Sequence, residues 1–351
     1  MTIHFLVAGN GAKPNGGTRV IYEHARRLAA RGHTVELHHF ERFAGEPARR
    51  IPRQLLRHTA ILRESGTPDW IDLDGVTRHY SFRARLPQTT PDDRIVATYW
   101  KTHDLLDERT LQSRRCFSLI QGIEDWEAPA GRLHAHWRSA STNLVVSRWL
   151  QQEVERVCGQ AYLVPNAIDA AFWGAADTNT SGGRTVLFGS MASANKRSAD
   201  VAAALDLLSS RGIAFTALSF GDRHPHEWGM RSPVEHHACL SQEALRDLYR
   251  RADIYVAASA SEGWGLTLAE ATLSGAALIV SDNPGHREFA RPGRSVFSFR
   301  TGDVERLADK LAFLLDRPAL RAALVANARQ DLAPFTWDAA TDAMERALEL
   351  A

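Results

Sequence analysis

Short apolar runs alternate with helical segments along the whole chain, and this alternation restricts the fold more than any other feature. The first cycle has an apolar strand over residues 3–8, a glycine loop over 9–17 and an amphipathic helix over 18–31 that ends at Gly32. A second cycle of the same kind begins at residues 185–188. Strands that alternate with helices predict a doubly wound parallel α/β sheet in each half.

We therefore expect two Rossmann-like domains, over residues 1–170 and 184–334, that face a central cleft. A polar segment over residues 177–183 has the composition of a linker between them. Residues 335–351 contain a final helix, which we expect to pack back on the N-terminal domain. Ligands of such sheets bind where the strands end, so the cleft is the expected site.

The composition is that of a soluble globular protein, with 44% hydrophobic and 24% charged residues. The 42 basic residues are balanced by 41 acidic ones, which argues against a nucleic-acid partner. Cys116, Cys158 and Cys239 are widely spaced and fit free thiols in a reducing compartment. Since no apolar run has membrane-spanning length and no basic leader is present, we expect a cytoplasmic protein.

An arginine-rich stretch from Arg42 to Arg63 has apolar residues at roughly helical spacing. One interpretation is a basic amphipathic helix that contacts an anionic acceptor or the inner face of a membrane. A solvated outer helix explains the same pattern and is the reading that we favour. The sequence does not indicate an oligomeric state.

The most distinctive stretch is residues 261–271, which contains two glutamates, Glu262 and Glu270. It follows a buried-strand pattern at 253–258 and leads into a short helix that ends at Gly275. A glycine-bearing turn between a strand and a helix N-terminus is where open α/β sheets bind anions. Gly263 and Gly265 leave room for a ligand to approach the backbone.

Lys196 lies in a loop at the head of a helix, beside Arg197. A cation there, together with helix N-terminal amides, would neutralise a diphosphate; the alternative is an exposed lysine. Glu262 and Glu270 are acceptors for the vicinal hydroxyls of a sugar and a ribose. A helix-surface carboxylate is the alternative for Glu270, and the small, apolar character of its helix argues against it.

Several other chemistries find no support. The chain lacks a Gly-x-Ser-x-Gly turn and a Walker loop, and Pro14 replaces the third glycine of a dinucleotide fingerprint. Gly16 and Gly17 would still receive a phosphate or a sugar, although a tight turn alone explains them equally well. Asp72 and Asp74 have metal-pair spacing, but the following glycine favours a hairpin turn. The grouped histidines favour surface or structural roles, so we expect neither a metal nor a cofactor.

Taken together, these segments resemble a known family. The stretch from Glu262 to Ala271 resembles the glutamate-x7-glutamate signature of family 4 retaining glycosyltransferases with the GT-B fold. The resemblance covers almost the whole chain. Its other parts are Gly16, Gly17, Arg31, Gly32, His33, Pro165, Asn166, Gly189, Lys196, Gly221, Asp222, Pro284, Gly285 and Glu288. The segment from Gln121 to Trp126 is similar to a bacterial subgroup that acts on surface polysaccharides and related glycans.

The resemblance implies a role for each matching residue. Glu270 would hold the donor ribose, Glu262 a hydroxyl of the donor sugar, and Lys196 the diphosphate. The implied mechanism is metal-independent attack on the same face, in which the departing phosphate takes the acceptor proton. The implied catalytic residues are Lys196, Glu262 and Gln121. The implied donor-binding residues are Gly16, Gly17, which would lie under the diphosphate, Gly189, Ser190, Lys196, Arg197, Leu240, Glu262, Gly263, Trp264, Gly265, Leu266 and Glu270. The acceptor candidates are Trp100, His103, Glu124 and Trp126.

Three departures from the family pattern are expected to matter. Ser190 stands near the place of a common arginine, for which Arg197 would substitute. Gln121 replaces a common histidine, so it would hydrogen-bond the donor but not protonate it. Trp264 replaces a common phenylalanine and would narrow the sugar pocket.

The resulting hypothesis is a hexosyl- or deoxyhexosyltransferase of bacterial glycan or natural-product biosynthesis. A sugar-nucleotide epimerase and a catalytically silent homologue that serves as a partner subunit are the competing hypotheses. The base, the sugar and the acceptor are left open. Main chain between His237 and Leu240 is the expected site of base recognition.

Overall fold

The computed structural model describes residues 1–9, 11, 15–43, 70–113, 115–125, 128–139, 141–174 and 183–350. Most of the arginine-rich stretch, Trp126 and residues 177–182 of the predicted linker lie outside the described residues. The chain forms two compact units. Unit 1 contains Met1–Asn166 together with Asp338–Ala351, and unit 2 contains Ala167–Trp337.

Unit 1 is built on a parallel sheet, in which the described strands have the order β3-β2-β1-β4-β5-β6-β7. Its central strand carries Ile3, Phe5, Leu6 and Val7, all at most 1% exposed, because both faces of a parallel sheet are covered. The order reverses between β1 and β4, which is the switch point of a doubly wound sheet. The strands are β1 (Thr2–Ala8), β2 (Thr34–Arg42), β3 (Val76–Arg83), β4 (Arg94–Ala97), β5 (Arg115–Ile120), β6 (Thr142–Val145) and β7 (Tyr162–Leu163).

The first helix shows why the local sequence folds as it does. Asn15 caps it by accepting a hydrogen bond of 2.8 Å from the Thr18 amide, and Val20, Ile21 and Leu28 lie on its buried face. The described α-helices that precede β7 are α1 (Gly16–Ala30), α2 (Trp100–His103), α3 (Glu108–Ser113), α4 (Ala130–Trp137) and α5 (Arg148–Cys158).

Unit 2 repeats this architecture with the strand order β10-β9-β8-β11-β12-β13, again parallel among the described residues. The switch point lies between β8 and β11. The strands are β8 (Thr185–Gly189), β9 (Thr216–Phe220), β10 (Glu235–His237), β11 (Ile254–Ala257), β12 (Ala277–Ser281) and β13 (Val296–Phe299). The helices are α6 (Ala170–Trp173), α7 (Ser198–Ser210), α8 (Gln242–Arg250), α9 (Leu266–Leu273), α10 (Val304–Leu315) and α11 (Pro318–Leu332).

The last helix, α12 (Trp337–Ala347), belongs to unit 1 from Asp338 onward. Arg31, just after α1, donates hydrogen bonds of 2.6 Å to Asp342 and 2.5 Å to Glu345. His33 contacts Glu345 at 2.8 Å. These polar contacts hold the C-terminal segment against the end of α1.

The predicted pair of doubly wound parallel sheets is confirmed, but details differ. Asp72 and Asp74 form a turn, with the Asp74 amide 3.0 Å from Asp72 Oδ1, yet the hairpin is wrong because β3 runs parallel to β2. Helix α4 and strands β10 and β13 were not predicted. Only Leu133 and Trp137 are buried on α4, and β10 is a short polar edge strand, so neither has a strong apolar pattern. None of the described helices is long and apolar enough to cross a membrane.

Candidate functional site

Two loops of unit 2 meet because β8 and β11 are neighbours in the sheet and run in the same direction. Asn195, in the loop after β8, joins them. Its side-chain amide donates to the Ser261 carbonyl at 2.7 Å, and its Oδ1 accepts from the Ser261 amide at 3.0 Å. The Ala260 amide also donates to the Asn195 carbonyl at 2.8 Å. The loop that carries Lys196 is therefore held against the loop that carries Glu262.

Lys196 and Glu262 form an ion pair, with 2.6 Å between Nζ and Oε1. The lysine side chain is 38% exposed and the glutamate side chain 18% exposed. Burial by itself raises the pKa of Glu262, but Lys196, His286 and a hydrogen bond from Ser259 together hold it below its ordinary value. Glu262 is thus a carboxylate at neutral pH, and Lys196 presents a cation to solvent beside it.

The segment of residues 283–286 packs against Glu262. Gly285 lies so close to it that a Cβ atom added at Gly285 would be 2.1 Å from the Glu262 carbonyl oxygen. The buried His286 ring is held by Asn283, 2.9 Å from Nδ1, and by the Ser281 carbonyl at 3.0 Å. Sequence reasoning missed His286 as a neighbour of the site. The Pro-Gly-His run after β12 was the available signal, but it does not show that the ring points inward.

Glu270 lies one helical turn into α9 and is 4% exposed. The Tyr249 hydroxyl donates to its Oε2 at 3.2 Å. The alternative of a helix-surface carboxylate is therefore excluded. A buried acceptor at this place is chemically suited to hold hydroxyl groups of a ligand.

Helix α9 begins with the backbone arrangement that the glycine-bearing turn predicts. Gly265 at its N-cap has φ of 108°, a left-handed conformation that favours glycine. The expectation that Trp264 narrows a sugar pocket is wrong. Its ring is 2% exposed and packs against Phe289 and Phe335, with ring centroids 4.9 and 5.3 Å away. Gly263, Gly265 and Leu266 therefore remain candidates through their main chain.

Ser190, which stands near the place of the missing arginine, and Arg197, its proposed substitute, both already have partners within unit 2. Ser190 is 0% exposed, and its hydroxyl accepts a hydrogen bond of 3.1 Å from the Trp228 indole. Arg197 pairs with Asp200 at 2.5 Å. Their side chains therefore serve the packing and the charge balance of unit 2. Gly189 is the last residue of β8, and Leu240 lies in the loop after β10.

In unit 1, Gly16 and Gly17 form the first turn of α1. Gln121, just after β5, donates from its side-chain amide to the Gly17 carbonyl at 3.2 Å. A Cβ at Gly17 would lie no closer than 3.6 Å to Gln121, so nothing among its described neighbours demands a glycine. The structure therefore brings Gln121 next to the first turn of α1.

Three of the four acceptor candidates also lie together. Trp100, His103 and Glu124 line a small cavity of about 30 Å³ within unit 1, large enough for a water molecule. Glu124 accepts a hydrogen bond of 2.8 Å from the Trp100 amide. Burial raises the pKa of Glu124 to about 7, against the smaller opposing effect of that amide. Burial, and then the charge of His136, lower the pKa of His103 to about 3, so His103 is neutral. Trp126, the fourth candidate, lies outside the described residues.

A protein-family model matches the part of the chain that contains α9. Residues 226–331 match the family model of glycosyl transferases group 1. This segment is similar to the group 1 glycosyltransferases. It includes Glu262 and Glu270, whereas Lys196 precedes it.

Curated relatives match over limited lengths. A D-inositol 3-phosphate glycosyltransferase of Xylanimonas cellulosilytica is 33% identical over 119 residues, which cover 34% of this chain and 28% of the relative. A phosphatidyl-myo-inositol mannosyltransferase of Mycolicibacterium smegmatis is 28% identical over 58% of this chain and 54% of the relative. The chain thus matches only about a quarter to a half of the length of these relatives.

The whole chain resembles solved structures in its fold. HepE of Anabaena in complex with UDP-glucose has a TM-score of 0.75 and 16% sequence identity, with 100% of both chains covered. This likeness shows the GT-B fold, and it confirms the fold that the resemblance implied.

Proposed function

We propose that this chain is a retaining, metal-independent glycosyltransferase, which moves a sugar from a nucleotide-diphosphate sugar to a hydroxyl acceptor. The observation that carries the proposal is the Lys196–Glu262 ion pair, held at the carboxyl ends of β8 and β11 and followed by the buried Glu270. The match to group 1 glycosyltransferases over residues 226–331 supports glycosyl transfer.

The donor is expected to be a nucleoside-diphosphate hexose or deoxyhexose. HepE of Anabaena, which shares the fold, has been solved with UDP-glucose. A UDP-sugar is therefore the first donor to test, ahead of dTDP- and GDP-sugars. Glu270 would accept hydrogen bonds from the ribose hydroxyls, and Glu262 from a hydroxyl of the sugar.

The proposed reaction breaks the bond between the anomeric carbon and the diphosphate oxygen and forms one to the acceptor oxygen on the same face. The departing phosphate takes the acceptor proton. The Lys196 ammonium and the first-turn amides of α9 stabilise the negative charge that develops on the leaving group. Glu262 keeps Lys196 in place before the donor binds.

The remaining parts of the proposal concern the acceptor and the cell. Trp100, His103 and Glu124 are proposed to contact the acceptor, whose pathway would be bacterial glycan or natural-product synthesis. The protein is proposed to act in the cytoplasm, with peripheral membrane or anionic-acceptor contact through the stretch from Arg42 to Arg63.

A catalytically silent partner subunit is the second candidate. The observation in its favour is that Arg197 is paired with Asp200 and Ser190 is buried, so neither side chain is aimed at a phosphate. Such a homologue would bind a nucleotide without turning over its sugar.

Thermal unfolding in the presence of UDP, dTDP, GDP and their sugars tests the donor site. Ligands that bind only the native state raise the melting temperature. We expect one nucleotide series to stabilise the wild type and the Lys310→Ala variant, and to stabilise the Lys196→Ala variant much less. Lys310 is a matched control, since it lies on α10 over the Phe297 ring.

Release of the nucleoside diphosphate from its sugar then separates the two candidates. A transferase releases the diphosphate with acceptor present, and slowly with water alone, whereas a silent partner binds without release. Absence of any nucleotide response in the wild type would overturn the donor site itself. Full turnover in Lys196→Ala would overturn the role of the lysine.

A further inference from the structure

Four side chains that the proposed transfer does not use converge on one face of the unit 1 sheet. His4 of β1 is in register with Glu36 of β2, and His38 of β2 is in register with His79 of β3. Glu36 and His38 are two residues apart on one strand, so they point to the same face. The three-strand register therefore places three imidazoles and one carboxylate together.

The polar atoms of this histidine cluster (His4, Glu36, His38 and His79) lie very close to one another. His4 Nδ1 is 3.0 Å from His38 Nε2 and 3.4 Å from Glu36 Oε2. His38 Nε2 is 3.2 Å from the same carboxylate oxygen, and His79 Nε2 is 3.0 Å from it. Among the described residues this is the one place where three such side chains offer ligand atoms within 4.8 Å of one another.

These spacings match those of a tetrahedral zinc site. Zinc bonds of about 2.0–2.1 Å to nitrogen and oxygen place neighbouring ligand atoms roughly 3.3 Å apart in a tetrahedron. Two histidines and one glutamate are a ligand set that zinc uses in proteins. We propose that His4, Glu36 and His38 bind one Zn²⁺ ion, with His4 Nδ1, Glu36 Oε2 and His38 Nε2 as its ligands.

Neighbouring groups surround the two histidine ligands. The outer nitrogen of His4, Nε2, lies 3.6 Å from Asp93, a carboxylate that accepts 2.7 Å hydrogen bonds from the Thr2 and Thr90 amides. The two groups are neighbours without a hydrogen bond at this distance, and carboxylates are common outer partners of metal-binding histidines. The His79 ring stacks on His38, with centroids 4.6 Å apart, and restricts its rotation.

A zinc ion could reach the histidine cluster from solvent, and its binding would stabilise unit 1. Glu36, His38 and His79 line an open groove on this face, which provides the entry path that a metal site needs. A bound ion would join β1 to β2 at their centre. Because it would bind the folded chain far better than the unfolded one, it would stabilise unit 1.

This site stands apart from the proposed transfer, since its ligands are neither the donor nor the acceptor candidates. The test uses the tag-free full-length chain after treatment with EDTA and removal of the chelator. Zinc is titrated in competition with a chromophoric chelator, and the melting temperature is recorded with and without zinc. We expect one Zn²⁺ per chain with a Kd below about 1 µM, and a higher melting temperature.

Two variants test whether Glu36 and His38 bind the zinc ion. Glu36→Gln keeps the size of the side chain and is expected to weaken zinc binding by about 100-fold or more, as is His38→Asn. The matched control is Glu235→Gln, because Glu235 and His237 form the same carboxylate–histidine pair two residues apart on β10, 2.7 Å from each other. Circular dichroism checks that each variant is folded.

Replacement of zinc by Co²⁺ provides a second readout, since tetrahedral Co²⁺ absorbs visible light strongly. We expect that absorption in the wild type and in Glu235→Gln, and its loss in Glu36→Gln. Absence of stoichiometric binding in the wild type would overturn the proposal. Equal affinity in a folded Glu36→Gln variant would overturn it as well, because the cluster would then be held by hydrogen bonds alone.

Discussion

Two half-buried glutamates, Glu262 and Glu124, show how the surroundings of a single residue determine its chemistry. Glu262 lies beside the Lys196 ammonium, which helps to hold its pKa below the ordinary value. Glu124 faces the Trp100 amide, and burial raises its pKa to about 7. The first is a fixed anion, and the second changes its charge near neutral pH.

Glu124 predicts a pH-dependent stability. Its pKa is higher in the folded chain than the ordinary 4.5, so the folded state binds more protons than the unfolded state between pH 4.5 and about 7. Stability is therefore lost as the pH rises through this window, by up to about 3 kcal/mol. We expect Glu124→Gln, which keeps an acceptor for the Trp100 amide, to raise the melting temperature at pH 8 and to change it little at pH 4.

The measurement is thermal unfolding of both proteins at pH 4 and pH 8. Glu108→Gln serves as the control. Glu108 lies at the start of α3 in unit 1, and none of the residues of this helix is buried. An equal change for Glu124→Gln at the two pH values would contradict the burial of an ionisable group there.

Among the structural elements, the turns that contain Gly285 and Gly17 differ in how much space surrounds the glycine. A Cβ at Gly285 would be 2.1 Å from the Glu262 carbonyl oxygen, which is backbone and has little room to move. A Cβ at Gly17, in the first turn of α1, would make ordinary contacts of 3.6 Å and more. The chain itself requires the first glycine but not the second.

The paired substitutions Gly285→Ala and Gly17→Ala test this difference. We expect Gly285→Ala to lower the melting temperature and to reduce nucleotide binding, because the segment that supports Glu262 must move. Gly17→Ala is expected to leave the melting temperature nearly unchanged and to reduce transfer strongly, if Gly17 contacts the donor as the family resemblance implies.

Thermal unfolding and a nucleotide-release assay measure both effects. Gly131→Ala on α4 is a suitable control for a glycine without nearby atoms, since nothing lies within 4 Å of its added Cβ. A Gly17→Ala variant with full activity would remove the evidence for a ligand at that turn.

At the scale of the whole molecule, transfer and metal binding are expected to be separable. The proposed leaving-group stabilisation uses Lys196 and helix amides, so EDTA should not stop transfer at a temperature where the protein stays folded. EDTA should, however, lower the melting temperature if zinc occupies the histidine cluster. Both are measured on the same preparation. Restoration of activity by Mg²⁺ after EDTA treatment would contradict metal-independent transfer and would direct attention back to Asp72 and Asp74.

Much of the fold was predictable because its signals are local. Apolar strands, helix caps and glycine turns at residues 3–32 indicate one doubly wound unit, and the second cycle from residue 185 indicates another. The weak elements were missed for the same reason. Helix α4 has only two buried residues, and β10 is a polar edge strand of three residues, so neither element shows a clear apolar periodicity in the sequence. Tertiary contacts decide both.

Chain order and periodicity predicted the two parallel sheets, the loops that carry Lys196 and Glu262, and the helix that carries Glu270. Chain order and periodicity suffice for this, because parallel strands bring their carboxyl ends to one edge. The packing of the folded chain selects the side chains that meet at this edge. It pairs Lys196 with Glu262, turns Trp264 into the core, engages Arg197 with Asp200 and assembles the histidine cluster across the β1–β2–β3 register. Arg197 and Asp200 are only three residues apart, but the other partners are distant in sequence. Packing and strand register, which no local pattern encodes, bring those together.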